Sequence, residues 1–349
     1  MLLSRLTHKW VKPSSKTLSA RRARRRPQAK PMLEGLEDRT LLSQDVGSNV
    51  NISKVFGNEV EPTIALDPTT AGCVPAGQPC RLFAASMFNS ANAGAGFGLL
   101  AGVSSDGGAN WTRRIIANGN GVDPLTQALA APSAAFDRFG NLFLAYESAG
   151  NRIIVSRSTD GGSTFTQLAD LGAGNRPRLG VGPDATGAAR ETVWIAWRDQ
   201  GTPQMISVSG AALTALGLPA APVFTAPVQL PSSDGGDFAN VAVGPLGHVL
   251  VTYQDTTTPL TGPSNIFSNV DANGLGAGGF AAQVTVATTN VGANDGIPSQ
   301  LTRRINAAPG LAYDRSGGTF NGRAYVVYTA ETALENNNTE IFLQYSTDN

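Results

Sequence analysis

Ser104-Ser105-Asp106-Gly107-Gly108-Ala109-Asn110-Trp111 returns as Ser158-Thr159-Asp160-Gly161-Gly162-Ser163-Thr164-Phe165 and begins again at Ser346-Thr347-Asp348-Asn349. Each copy closes a short apolar run (Leu99 to Val103, Ile153 to Val155, Ile341 to Tyr345), and the first two open another (Trp111 to Ile116, Phe165 to Leu168). An aspartate can accept hydrogen bonds from backbone amides a few residues on, and paired glycines supply the positive φ that residues with a β-carbon avoid. The lettering therefore predicts a tight turn between two antiparallel strands, with the aromatic anchoring the outgoing one.

A longer phrase repeats around these turns. Pro62 to Asp67, Pro132 to Asp137, Pro177 to Gly182, Ala239 to Gly244 and Pro309 to Asp314 are each followed by a second apolar run: Leu82 to Phe88, Leu142 to Glu147, Val193 to Asp199, Val249 to Asp255 and Ala324 to Tyr328. The starts at 62, 132, 177, 239 and 309 are spaced near or above the ~40 to 50 residues of compact propeller blades. The turn motif degenerates in the third and fourth copies, to Ser207-Val208-Ser209-Gly210 and to Ser268-Asn269-Val270-Asp271-Ala272-Asn273-Gly274. No helical periodicity of useful length follows residue 45, so the body reads as all-β, with a two-sheet sandwich as the alternative to a propeller.

The pattern S-x-D-G-G-x-x-W/F resembles the Asp box, or BNR repeat, of the sialidase superfamily. The resemblance is carried by Ser104, Asp106, Gly108 and Trp111, by Ser158, Asp160, Gly162 and Phe165, and in part by Ser346 and Asp348. It implies a β-propeller of four-stranded blades with each box between a third and a fourth strand, on the outer rim and far from any chemistry. Sialidase propellers have six blades, whereas about five can be laid out here, and the fifth stops where a glycine pair is due. The expectation is therefore a chain truncated from a six-bladed ring; the alternative is a five-bladed ring finished by a strand near Val50 to Val55.

The net charge of zero hides an asymmetry, since residues 1 to 40 carry eleven Lys/Arg against three Asp/Glu while the rest carries fifteen against twenty-three. A body so acidic offers no basic stripe for nucleic acid. Residues 1–45 read as a basic targeting segment and 46–349 as the propeller. The segment lacks the apolar core of an ordinary secretory signal, and no stretch reaches transmembrane length. Met32 to Ser43, MLEGLEDRTLLS, resembles the LExLEDRxLLS motif near the start of many extracytoplasmic planctomycete proteins, which implies export; its alternative is a short amphipathic helix. The two cysteines, Cys73 and Cys80, lie in one turn-rich loop and are expected to form a disulfide in an oxidising compartment, with free thiols as the alternative.

The resemblance also sets expectations for chemistry. Exo-sialidases grip a carboxylate with three arginines and use a tyrosine nucleophile activated by Glu, with an Asp as acid/base. No FRIP-like arginine motif occurs; the nearest strings are Asn175-Arg176-Pro177-Arg178 and Thr302-Arg303-Arg304-Ile305, so no catalytic role is carried over. Antiparallel blades bring the starts of first strands and the ends of second strands to one axial face. That face is expected to collect Glu61, Arg178, Asp237, Glu147, Arg198, Asp199, Asp255 and Glu331, beneath an aromatic column of Tyr146, Trp197, Tyr253 and Tyr328. Carboxylates, arginines and aromatic faces suit a sugar, although polar strand ends also serve any solvated loop. No cofactor is expected. Gly274 to Gly279 fits G-x-G-x-x-G but opens no helix, one body histidine, His248, builds no metal site, and Asp271-Ala272-Asn273-Gly274 offers calcium oxygen ligands without the spacing or distal Glu of a calcium loop. The functional expectation is a propeller that recognises, and in the sialidase case hydrolyses, terminal sugars of extracellular glycans; the alternative is a non-catalytic scaffold binding a glycan or a cell-surface protein.

Overall fold

The computed structural model describes residues 50–54, 58–70, 80–90, 96–298 and 300–348, and among them all regular structure is β, without helices. The first blade is β1 (Asn58–Leu66), β2 (Leu82–Ser90), β3 (Gly96–Ser104) and β4 (Thr112–Ile116), paired antiparallel in that order. The second is β5 (Ala128–Phe136), β6 (Leu142–Ser148), β7 (Arg152–Ser158) and the first part of β8 (Thr166–Pro183). From Gly174 onward the same β8 pairs with β9 (Glu191–Asp199), which is followed by β10 (Ile206–Leu213) and the short β11 (Val228–Gln229). One strand thus serves as the fourth of blade two and the first of blade three.

Blade four is β12 (Gly236–Val243), β13 (Val249–Asp255), β14 (Ser264–Asp271) and β15 (Val284–Thr289). A hairpin of β16 (Asp295–Ile297) and β17 (Gln300–Ile305) precedes the fifth sheet, β18 (Gly310–Tyr313), β19 (Ala324–Glu331) and β20 (Thr339–Ser346). First strands lie side by side in the order β1, β5, β8, β12, β18, the arrangement of blades about an axis that makes the fold a β-propeller and excludes the sandwich. Among the described residues no comparable packing joins β18 back to β1.

Each inter-blade space is filled from the second strands. Tyr146 of β6 packs with Phe83, Leu99 and Ile116 of blade one. Trp197 of β9 joins Phe143, Val155 and Leu171 of blade two. Tyr253 sits with Trp194, Ile206 and Val208 of blade three, and Tyr328 with Ile266, Ala287 and Val291 of blade four. Large aromatics bury ~150 to 250 Å² apiece, so one residue per blade carries much of each contact. Their phenols and indoles belong to the core, and the expected aromatic column facing a ligand is not formed by them.

The box turns are built from side-chain hydrogen bonds. In the first, Ser104 Oγ donates to Asp106 Oδ1 at 2.8 Å and accepts from Gly108 N at 2.9 Å, while Asn110 N donates to Asp106 Oδ1 at 2.9 Å. The second repeats this with Ser158, Asp160, Gly162 and Thr164 at 2.7, 2.8 and 2.8 Å. Gly161 and Gly162 have φ of 73° and 99°, and a β-carbon on Gly162 would lie 2.7 Å from the Phe83 ring. Ser346 Oγ donates to Asp348 Oδ1 at 2.8 Å, the first step of the same turn.

Two expectations are corrected and one is met. Ser207-Val208-Ser209-Gly210 lies inside β10, because the turn of blade three falls after Leu213. The remnant in blade four does end its strand, Asp271 Oδ1 accepting from Asn273 N and Gly274 N at 2.9 and 3.0 Å. Val50 to Lys54 does not complete blade five: Arg113 donates to Ser53 O, and Ile52 lies against Gly102 beside Trp111, so this segment covers blade one. Residues 1–49 and Cys73 lie outside the described residues; Cys80 is buried and carries no free thiol.

Candidate functional site

The first strands enter the axial face through one repeated irregularity. Glu61, Ala131, Arg176 and Phe238 have φ of 55°, 52°, 53° and 55°, each just ahead of a Pro or Ala and inside a bulge of the first-to-second strand pairing. A left-handed conformation costs a residue with a β-carbon about 1 to 2 kcal/mol, and strain repeated on one face points to that face. The bulges are latched between blades. Ala131 N donates to Glu61 Oε2 at 2.6 Å, Ala134 N to Thr63 Oγ1 at 3.1 Å, and Leu179 N to Ser133 Oγ at 3.0 Å.

At blades three to five this face becomes a charged hollow. Asp237, 3% exposed, accepts Arg176 Nη1 at 2.6 Å and Arg198 Nη1 at 2.8 Å on the same oxygen, Oδ2, and its Oδ1 accepts Phe238 N at 2.7 Å. Arg198 is further held by Gln204, and the Arg176 guanidinium lies 4.9 Å over the Phe238 ring. Two arginines are therefore committed to one carboxylate. Arg178 has no ion pair among the described residues. Its surroundings disfavour the charged guanidinium through desolvation, with Glu61 opposing and Arg176 adding to that effect.

Arg176, Arg178, Phe238, Asn240 and Pro309 line a cavity of about 160 Å³ at this point. That is below the roughly 300 to 1,000 Å³ of drug-sized sites and suits a single sugar ring or an acidic group. Beside it, burial raises the Glu147 carboxyl above the ordinary value; the backbone N–H and charge of Arg176 pull it down and Glu61 pushes it up.

Of the other expected residues, Asp199 and Asp255 lie at the same strand ends, opposite Gly174 and Gly236, but their carboxylates are spent on turns. Asp199 is held in a turn, its Oδ1 accepting Gly201 N and Met205 N and its Oδ2 accepting Ser207 Oγ and Gln229 Nε2. Asp255 Oδ1 accepts Thr257 N and Oγ1 at 2.8 and 2.6 Å. Glu331 is 3% exposed and accepts Asn337 N, inside the β19–β20 connection. Tyr253, 1% exposed, donates its hydroxyl towards Asn269 and Gln283, and burial raises its phenol. Arg178, Arg198, Asp237, Glu61 and Glu147 thus share the axial end, while Asp199, Asp255, Glu331 and Tyr253 serve turns and core. Sequence reasoning met Arg176 only inside the string nearest to the arginine motif, without placing it on the axial face, and passed over Phe238 and Asn240. The slot directly ahead of each Pro or Ala start, compared across the repeats, was the signal for the first two.

No group of His, Cys, Asp or Glu suited to a metal ion occurs among the described residues, and no helix there is long and apolar enough to cross a membrane.

No family model and no curated protein matches the chain. Among solved structures it is similar to a Dyadobacter fermentans protein of unknown function, with a TM-score of 0.53 at 13% identity over 83% of this chain and 76% of the other. It is also similar to an α-L-arabinanase of Penicillium chrysogenum, TM-score 0.46 at 11% identity, over 83% and 98%. A third is an intramolecular trans-sialidase of Ruminococcus gnavus, TM-score 0.45 at 10% identity, over 86% and 88%. Of these the first alone exceeds a TM-score of 0.5, and at its identity the likeness extends to the fold only.

Proposed function

We propose that this chain is an exported glycan-recognising propeller that seats a terminal sugar over the axial hollow of blades three to five. The observation that carries the reading is Arg178, an arginine without an ion pair beside a cavity, next to two arginines already committed to Asp237. The Arg178 guanidinium, whose Nη1 makes a long 3.5 Å bond to Pro177 O and no ion pair among the described residues, favours an acidic sugar, because it can meet a carboxylate with two parallel hydrogen bonds, and Phe238 offers an aromatic surface at the same opening. Export rests on the Met32 to Ser43 motif.

Binding without turnover is the form of this reading that the side chains favour. The second-strand tyrosines face the inter-blade core, so they supply no axial nucleophile beside a glutamate. One observation favours a hydrolytic version: the Glu147 carboxyl, raised chiefly by burial at the edge of this hollow, has the environment of a general acid. Calorimetric titration of the full chain with sialic and uronic acid glycosides should give binding that neutral sugars do not. Arg178→Ala should weaken it at least tenfold with an unchanged melting temperature. Equal binding by that variant sinks the acidic-sugar reading, and release of a fluorophore from a glycoside, lost in Glu147→Gln, decides for the hydrolase.

A further inference from the structure

We propose that Asn120, on the connection from β4 to the axial end of β5, is a self-modification site: its side chain closes onto the backbone nitrogen of Gly121, loses ammonia and is opened by water to aspartate or to the β-linked isomer. Asn-Gly occurs at four places, Asn118-Gly119, Asn120-Gly121, Asn273-Gly274 and Asn321-Gly322. Glycine has no β-carbon to shield the attacking nitrogen or restrict its backbone, so all four carry the same intrinsic chemistry. The fold decides among them.

The attack needs a backbone nitrogen that is not already donating, a side-chain carbonyl carbon held beside it, and room to turn. Neither Gly119 N nor Gly121 N donates to an acceptor among the described residues. Asn120 Oδ1 accepts Val122 N at 2.9 Å, a turn that folds the side chain back over the intervening Gly121 nitrogen. Gly121 has φ of 78°, and a β-carbon built on it would meet nothing within 4 Å. Asn118 Oδ1 accepts Asn120 N at 3.1 Å in the same way, but its surroundings are tighter. A β-carbon on Gly119 would lie 3.2 Å from the Gln127 side chain, and one on Gly98 would lie 2.9 Å from Asn118 Cβ.

The other two pairs are held. Gly274 N donates to Asp271 Oδ1 at 3.0 Å and Asn273 Nδ2 to Ala277 O at 2.7 Å. Gly322 N donates to Asp314 O at 2.8 Å, and Asn321 Oδ1 accepts Gly317 N at 2.9 Å. Both must open locally before reacting, and an opening of about 1.4 kcal/mol slows a reaction about tenfold.

Water is the one co-reactant. The Gly121 nitrogen gives up its proton as it bonds to Asn120 Cγ; the Cγ–Nδ2 bond breaks, and the amide nitrogen leaves as ammonia. Water attacking Cγ then restores the ordinary backbone with an aspartate, whereas attack at the main-chain carbonyl carbon routes the chain through the side chain. Either product adds one negative charge.

The folded full chain, incubated at mildly alkaline pH in heavy-oxygen water, is sampled over time and its peptides mapped by mass spectrometry. Asn120 should exchange its amide for a carboxyl carrying one labelled oxygen, ahead of Asn118 and at least about tenfold ahead of Asn273 and Asn321. In urea the four rates should converge. An Asn120 that keeps its amide, that is overtaken by any of the other three in the folded chain, or that leads by the same margin in urea overturns the proposal.

Discussion

The two ends of a blade in this protein are repeated in different ways. At the rim, the boxes of blades one and two repeat residues and hydrogen bonds together: Ser104 and Ser158, Asp106 and Asp160, Gly108 and Gly162 stand in the same places at distances equal to within 0.1 Å. At the axial end the backbone repeats, with φ near +53° at four blades, but the residues are Glu61, Ala131, Arg176 and Phe238. A turn that must close on itself constrains side chains, since the aspartate and serine are the hydrogen-bond partners. An entry bulge latched through the neighbouring blade leaves its side chain free to vary. The fold therefore advertises itself at the rim, and the specificity of the site is written where the backbone alone is repeated.

The contrast can be broken first at the inter-blade core that both ends depend on. Trp197→Ala removes the plug between blades two and three and should cost about 3 to 5 kcal/mol, read as a shift of the urea midpoint; a cost below about 1 kcal/mol would mean the blades are held by their strand ends instead. Next comes Asp137, buried in the turn between β5 and β6. Burial, opposed by bonds from Asn141 and Phe139, raises its carboxyl from 3.8 to about 6. A group that holds its proton more tightly when folded contributes its full stability below about pH 4 and loses it as the pH rises through 6. That is worth roughly 3 kcal/mol over the window. Asp106, held down to about 2 by the backbone and side-chain amides of Asn110 and by Ser104, acts the other way, only below pH 4. Asp137→Asn should flatten the melting temperature between pH 4 and 6; an unchanged slope would place the proton elsewhere. The smallest effect belongs to the rim. Asp160→Ala deletes acceptors for Ser158, Thr164 N and Thr164 Oγ1 and should cost about 1 to 2 kcal/mol, leaving sugar binding at the axis untouched.

The same contrast explains how much was legible in the sequence. The boxes and the five Pro/Ala phrases revealed the blade grammar because glycine at positive φ and aspartate at a turn leave fixed letters. The axial residues left weaker marks. Arg178 and Arg198 were found by counting to strand ends, but the same counting swept in Asp199 and Asp255, whose carboxylates cap turns, and Tyr253, whose period-2 position faces the neighbouring blade. Strand alternation tells which side a residue occupies, and in a propeller both sides of a blade are buried. Arg176 and Phe238 escaped because no residue type is required at a bulge. The join of blades two and three was hidden too, since the phrase was started at Pro177 while the strand runs through it from Thr166 to Pro183.

That strand, 18 residues long, bends at Gly172 and Arg176, where φ is 99° and 53°, yet it passes from one blade to the next without a loop and so removes the slack between two neighbours. Elsewhere the chain leaves one blade by a connection that can lengthen, shorten or flex without disturbing a ladder. At Gly174 it passes from the rim of one sheet to the axis of the next within a single span, so a residue inserted or deleted there would slip the pairing on both sides at once and turn every following side chain to the opposite face. Blades two and three are in this sense joined by one shared strand, and Arg176 and Arg178 are mounted on it.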